Sequence, residues 1–248
     1  MQRLEGKSAV VTGAGRGLGA AVAELFSQQG ARVAVSDVDA ASAGATASRI
    51  LDSGGEAFGL QADVTSEEDA ERLAALAVER FGALDVLVNN AGIASAGTVC
   101  EVTPEEWDRV MAINLKGSYL CSRYAVPHMA RAGGGSIVCI SSASGVIGQQ
   151  AQVAYNVSKH GVIGLVRCMA LDHAADGIRV NAVCPGVMRT PMLDALSAEQ
   201  LDALEAMHPL GRIAEPEEIA EAVLHLAADE SSFTTGGVFL IDGGLTAM

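Results

Sequence analysis

The chain has 248 residues, half of them hydrophobic, with 30 acidic side chains against 16 basic ones and a net charge of −14. That length suits one large domain or two small ones, and a chain this acidic is not built to follow a nucleic-acid backbone. No apolar run approaches the ~20 residues of a membrane span, and no charged-then-apolar leader follows Met1; the five cysteines, odd in number and without a C-x-x-C pair, speak against zinc or a disulfide framework and for buried thiols, so a cytoplasmic location is expected.

Ser8–Thr12 is a short apolar run ending in Gly13-Ala14-Gly15-Arg16-Gly17-Leu18-Gly19, and a helical pattern follows through Leu25 and Phe26 to Gly30. Strand, glycine-rich turn and helix in that order bring bare backbone N–H groups to a helix N-terminus, where a pyrophosphate binds. Glycine lets the backbone turn sharply and approach the ligand, although a plain tight turn would look the same. A second strand, Arg32–Asp37, ends in an acid 18 residues after Gly19. An acid at that distance can hydrogen-bond the ribose hydroxyls of an adenosine and repel a 2′-phosphate, which favours NAD(H) over NADP(H); the competing reading of Asp37 is a helix N-cap. Arg16, in the turn, can meet a phosphate.

Residues 39–54 carry a helical pattern stopped by Gly54-Gly55, and Glu56–Ala62 reads as a third strand leading to Asp63-Val64. Thr65-Ser-Glu-Glu68 reads as a capping box, followed by one apolar stripe of Ala70, Leu73, Ala74, Ala77 and Phe81. Asp85–Asn89 is a fourth strand. Asn89-Asn90-Ala91-Gly92 puts polar residues at its C-terminal end, where α/β sheets bind ligands, though turn chemistry uses the same residues. Thr103-Pro104-Glu105-Glu106 opens a helix that reaches Asn114, a polar residue among Met111, Ile113 and Leu115.

Ser136–Ile140 is a fifth strand, followed by Ser141, Ser142 and Ser144. The next helix, running to about Ala175, holds Tyr155 and Lys159 one turn apart on one face. A free tyrosine titrates at about 10, too high for a base near neutrality. A fixed ammonium lowers that value, so the pair is expected to exchange a proton at physiological pH. With three lysines against thirteen arginines, Lys159 is not the default cation of this chain.

Arg179–Val183 is a sixth strand, ending at Pro185-Gly186. Residues 187–212 break the rhythm: Ser197-x-x-Gln200 opens a short helix that carries Leu196, Leu201, Leu204 and Met207. An insertion there suits a lid or a packed surface helix. Another helix starts near Pro216, and Val238–Ile241 is the last strand. Strands alternating with helices give an α/β, doubly wound parallel sheet in a single domain over 1–248. The helix over 153–170 is apolar round much of its circumference, as a helix covered on two sides would be.

Together, Thr12-Gly13-x-x-x-Gly17-x-Gly19, Asp63, Asn89-Asn90-Ala91-Gly92, Asn114, Ser142, Tyr155-x-x-x-Lys159 and Pro185-Gly186 resemble the short-chain dehydrogenase/reductase family over essentially the whole chain. The resemblance implies a Rossmann fold with a seven-stranded sheet in the order 3-2-1-4-5-6-7. It implies Tyr155 as the acid/base at the substrate oxygen, Lys159 as the group that lowers its pKa and holds the nicotinamide ribose, Ser142 as the hydroxyl that binds the substrate oxygen, and Asn114 as the holder of a relay water. Ser141 and Ser144 rival Ser142 on the residues alone. Gly13, Arg16, Gly17, Leu18 and Gly19 would border the pyrophosphate, Asp37 the adenosine ribose, and Asp63 with Val64 the adenine. Asn90 would line the cleft, and Val187 and Thr190 would meet the carboxamide.

The chemistry expected is NAD-dependent interconversion of a secondary alcohol and a ketone, with NADP disfavoured by Asp37. The partners expected are a small-molecule alcohol or ketone and further copies of the chain in a homotetramer, with no nucleic acid and no membrane. No His/Cys/carboxylate cluster suggests a metal, and His160 points about 100° round the helix from Lys159. Ser95, Val146, Gln149, Gln150, Gln152, Met188 and Met192 are candidate pocket linings without assigned roles. An acyl-thioester reductase of the 3-oxoacyl type is the rival enzyme, a non-catalytic dinucleotide sensor the rival of another class. The sensor would have no use for Tyr155, Lys159 and Ser142 together.

Overall fold

The structure, a computed structural model, describes residues 2–190, 193 and 197–247. Met192 and Leu196, within the 187–212 segment expected to form a lid, lie outside them. Seven strands form one sheet in the order β3-β2-β1-β4-β5-β6-β7: β1 Ser8–Thr12, β2 Arg32–Asp37, β3 Glu56–Gln61, β4 Val86–Asn89, β5 Gly135–Ile140, β6 Ile178–Pro185 and β7 Val238–Ile241. Every pairing is parallel, as the resemblance implied.

The central strands are apolar on both faces because both are covered by helices. β1 shows the alternation: Ala9 and Val11 join a core with α1 (Gly17–Gln28), α2 (Ala40–Asp52) and α8 (Pro216–Ala227), whereas Val10 joins a second core with α3 (Glu67–Phe81), α5 (Gly117–Ala132) and α6 (Val153–Asp172). The order reverses between β1 and β4, so the loops after these strands diverge and leave a crevice at the C-terminal edge of the sheet.

Three local expectations change. The cap of α3 is Ser66, whose hydroxyl accepts from Asp69 N, while Thr65 bonds to Asp63. The box read one residue early is therefore an Asx turn followed by a simple cap. The helix begun at Pro104 (α4, Pro104–Met111) reaches Asn114, but not as regular helix: it passes through one π turn, Ala112–Lys116, directly into α5. The cysteines are all free, but only Cys121, Cys139 and Cys184 are buried; Cys100 and Cys168 are exposed. The box at Ser197 is present and opens α7, Ala198–Ala206.

Phe26 sits fully buried between α1 and the sheet. Phe26→Ala is expected to cost about 3–5 kcal/mol, read as a lowered urea midpoint at unchanged slope.

Candidate active site

The turn after β1 is built from glycines that have no room for a side chain. A Cβ on Gly13 would lie 2.8 Å from Ala91 Cα, one on Gly15 would lie 2.6 Å from Ser42 Cβ, and one on Gly19 would collide with the Gly13 carbonyl oxygen. Gly17 is different: it has a φ of 55°, and a Cβ there would meet only the Thr190 side chain, 3.6 Å away. The α1 helix starts at this open position behind an exposed Arg16. Whereas α2, α3 and α4 are capped by Asp39, Ser66 and Thr103, α1 has no side-chain cap and no acid in its first turn. Bare N–H groups around Leu18 and Gly19, at the mouth of an open glycine turn, fit a pyrophosphate.

Asn90 braces that turn. Its side-chain amide donates to the carbonyls of Thr12 (2.8 Å) and Gly13 (2.9 Å), and the Thr12 hydroxyl accepts from Asn90 N and Ala91 N. Its role in the cleft is thus to hold the backbone. Asp37, at the end of β2, accepts from Gly15 N at 2.9 Å and from Asp39 N at 3.1 Å. Because Asp39 is the N-cap of α2, the capping reading of Asp37 falls. Asp63 accepts from the N–H and hydroxyl of Thr65, both at 2.8 Å, and Val64 packs against the start of α5 at Gly117. Thr190 stands by Gly17, and Val187 N–H donates to His208 Nε2 at 3.1 Å.

The second half of the site lies at the end of β5. Lys159 is only 4 % exposed; its Nζ donates to the Ile140 carbonyl at 2.9 Å and lies 5.6 Å from the centre of the Tyr155 ring. Asn114, buried in the π turn, accepts from Ile93 N (2.8 Å) and donates to Ile93 O and to Ser158 Oγ (both 3.0 Å). Ser158 in turn donates to the Tyr155 carbonyl at 2.7 Å, so the π turn is stitched to α6. Gly92 lies over both groups: a Cβ on it would be 3.3 Å from Asn114 Oδ1 and 3.4 Å from Lys159 Nζ. Residues 90–92 thus form one wall, with the glycine turn at one end and the lysine at the other.

The three serines separate by their partners. Ser141 donates to the Lys159 carbonyl at 2.8 Å, and Ser144 is bonded to Gln149 Oε1. Ser142 is half-buried and stands beside the Tyr155 hydroxyl; its oxygen accepts from Ser144 N at 3.1 Å. His160 is exposed, with its ring on the Asn156 carbonyl, away from this cluster.

Burial holds the Tyr155 pKa above the ordinary 10.0, opposed only in part by the Ser142 hydroxyl. Burial also lowers Lys159, from 10.5 to about 8. Taking a charge out of water costs more than one neighbour returns. Sequence reasoning passed over Ser158, although it lies within the Tyr155–Lys159 turn, and gave Gly92 no task. Among the described residues no group of acids, histidines and cysteines could hold a metal, and no helix is long and apolar enough to cross a membrane.

A doubly wound parallel sheet with an open glycine turn and a Tyr–Lys–Ser cluster at one end defines a Rossmann-type oxidoreductase. A family model described as Enoyl-(Acyl carrier protein) reductase matches residues 13–246. The chain is 44% identical to a cis-4-hydroxycyclohexanecarboxylate dehydrogenase of Sinomonas cyclohexanicum, covering 97% of this chain and 96% of that one. It is 40% identical to a 3-oxoacyl-(acyl-carrier-protein) reductase of Thermotoga maritima, over 98% and 99%. The crystal structure of a short-chain type dehydrogenase/reductase from Mycobacterium marinum superposes with a TM-score of 0.94 at 36% identity, covering 99% of this chain and 97% of that one. The chain belongs to the short-chain dehydrogenase/reductase family.

Since burial raises Tyr155, the ligand-free protein is expected to show no phenolate absorbance assignable to that residue below the ordinary tyrosine range. Ultraviolet titration of the protein against its Tyr155→Phe variant checks this; a difference signal near neutrality would contradict it.

Proposed function

We propose that the protein is an NAD(H)-dependent oxidoreductase that interconverts a secondary alcohol and a ketone. The observation that carries this reading is the convergence at one sheet end of an uncapped, open glycine turn with buried Lys159 and half-buried Tyr155 and Ser142. When bound, nicotinamide supplies the hydride acceptor or donor. Ser142 fixes the substrate oxygen, Tyr155 exchanges a proton with it, and Lys159 holds the ribose and offers positive charge beside the phenol. Asn114 holds a water in the path from Lys159 to solvent. Gly13, Arg16, Gly17, Leu18 and Gly19 border the pyrophosphate, Asp37 the adenosine ribose, and Asp63 and Val64 the adenine. Asn90 supports the turn, and Val187 and Thr190 meet the carboxamide. The 187–212 segment serves as a lid over the substrate.

The raised Tyr155 sets the direction of the pH dependence. The protonated phenol is the acid that ketone reduction needs, so reduction does not rise with pH; it falls first as Lys159 loses its charge at about 8 and then further as Tyr155 deprotonates. Oxidation needs the phenolate, so its kcat/KM rises with pH up to the same titration. Tyr155→Phe is expected to abolish both directions while NADH affinity stays within about threefold of wild type. A panel of secondary alcohols and ketones, including cyclic ones such as the relative's 4-hydroxycyclohexanecarboxylate, assayed with both dinucleotides, tests the reading. Turnover retained by the variant would remove Tyr155 from the mechanism.

The second reading, a 3-oxoacyl-thioester reductase, is favoured by the 40% identity to such an enzyme. Asp37 separates the two, because a carboxylate bordering the adenosine ribose would repel a 2′-phosphate. Asp37→Asn keeps an acceptor for Gly15 N and removes the charge. It is expected to raise kcat/KM for NADP relative to NAD by about tenfold or more; equal use of both by the wild type would favour the acyl-thioester reading. Exposed apolar side chains on α5 (Tyr119) and α6 (Val157, Leu171) support a homotetramer built on those helices, in a cytoplasmic enzyme without nucleic-acid or membrane partners.

A further inference from the structure

The loop that follows β6 is held by a buried histidine that the reaction above does not use. His208 lies just beyond α7 and is 3 % exposed. Its Nδ1 is 2.8 Å from the Leu204 carbonyl oxygen in the last turn of α7, and its Nε2 is 3.1 Å from Val187 N. These partners dictate the state of the ring. The Val187 N–H is a donor, so Nε2 must accept and carries no hydrogen; the hydrogen is on Nδ1 and is donated to Leu204. The surroundings are close: a Cβ on Gly186 would come within 2.8 Å of Nε2, and one on Gly243 within 3.5 Å of the His208 Cβ. A single neutral imidazole therefore joins α7 to the main chain at the mouth of β6.

We propose that His208 is a positioning residue that sets the Val187 main chain at the nicotinamide end of the cleft and ties α7 to it, through a ring that carries its hydrogen on Nδ1. The inference rests on the proposed nicotinamide site, since Val187 is assigned to it.

Nitrogen NMR of the histidine rings in the protein without cofactor gives the first test. An unprotonated Nε2 and a protonated Nδ1 on His208 are expected; the opposite tautomer, or a ring averaging between the two, overturns the proposal. NADH binding followed by fluorescence gives the second. His208→Ala is expected to weaken binding about tenfold, the size of one buried hydrogen bond lost. His208→Gln, whose carbonyl can accept from Val187 and whose NH₂ can donate to Leu204, should recover most of it with kcat within about twofold of wild type. A His208→Gln that binds NADH about tenfold or more weakly than wild type would overturn the proposal even if His208→Ala fails to fold. A wild type that binds no dinucleotide would sink the functional reading, and the ring tautomer would still decide the state of His208.

Discussion

A buried ammonium must be paid for by its surroundings, and much of the site's construction follows from where Lys159 is held. Its Nζ reaches the last carbonyl of β5, which is possible only because α6 lies close against that strand. A glycine permits the approach: a Cβ on Gly145 would lie 2.8 Å from the Lys159 carbonyl oxygen. Ser141 spends its hydroxyl on the Lys159 main chain, which pins the helix to the strand end. An ammonium has three donors, and the Ile140 carbonyl engages one of them.

The walls around that charge are chosen to leave it unneutralised. Cys139 on β5 and Cys184 on β6 lie near enough to sense Lys159, but burial pushes Cys139 up to about 11 and raises Cys184 as well. Both remain thiols at neutral pH and act as small apolar groups. They exclude water without supplying a counter-ion. The same dry surroundings explain why Tyr155 is raised: the environment that keeps the lysine unscreened also disfavours a phenolate.

Most of the architecture could be read from the chain, because strands buried on both faces are apolar runs and each glycine-rich stop marks a crossing back to the sheet. The order of strands came from resemblance, since pattern alone does not say which strand lies beside which. The site was legible as residue types and spacings, and the structure places Gly13–Gly19, Asp37, Asn90, Asn114, Ser142, Tyr155 and Lys159 along one edge. What could not be read was how each group spends its hydrogen bonds. Nothing in the text Asn89-Asn90 says that the second amide is consumed by two carbonyls of β1 and its turn. Nor does Ser141-Ser142-Ala143-Ser144 say which hydroxyl remains beside the tyrosine. The balance between burial and a neighbouring charge is likewise not legible, because spacing along a helix gives proximity but not dielectric.

The π turn at Ala112–Lys116 carries a mechanical implication. One residue more than a regular helix would use is accommodated between α4 and α5, and it is there that Asn114 reaches Ile93 and Ser158. Each residue of an α-helix advances the azimuth by about 100°. Excising one residue from this turn would regularise the rod, and everything on its N-terminal side would swing round by that amount relative to α5. The irregularity is therefore a phase adjuster: it lets one long helix face the sheet core with its second half and the cleft with the middle. The residue count from Ala112 to Gly117 is therefore fixed by geometry.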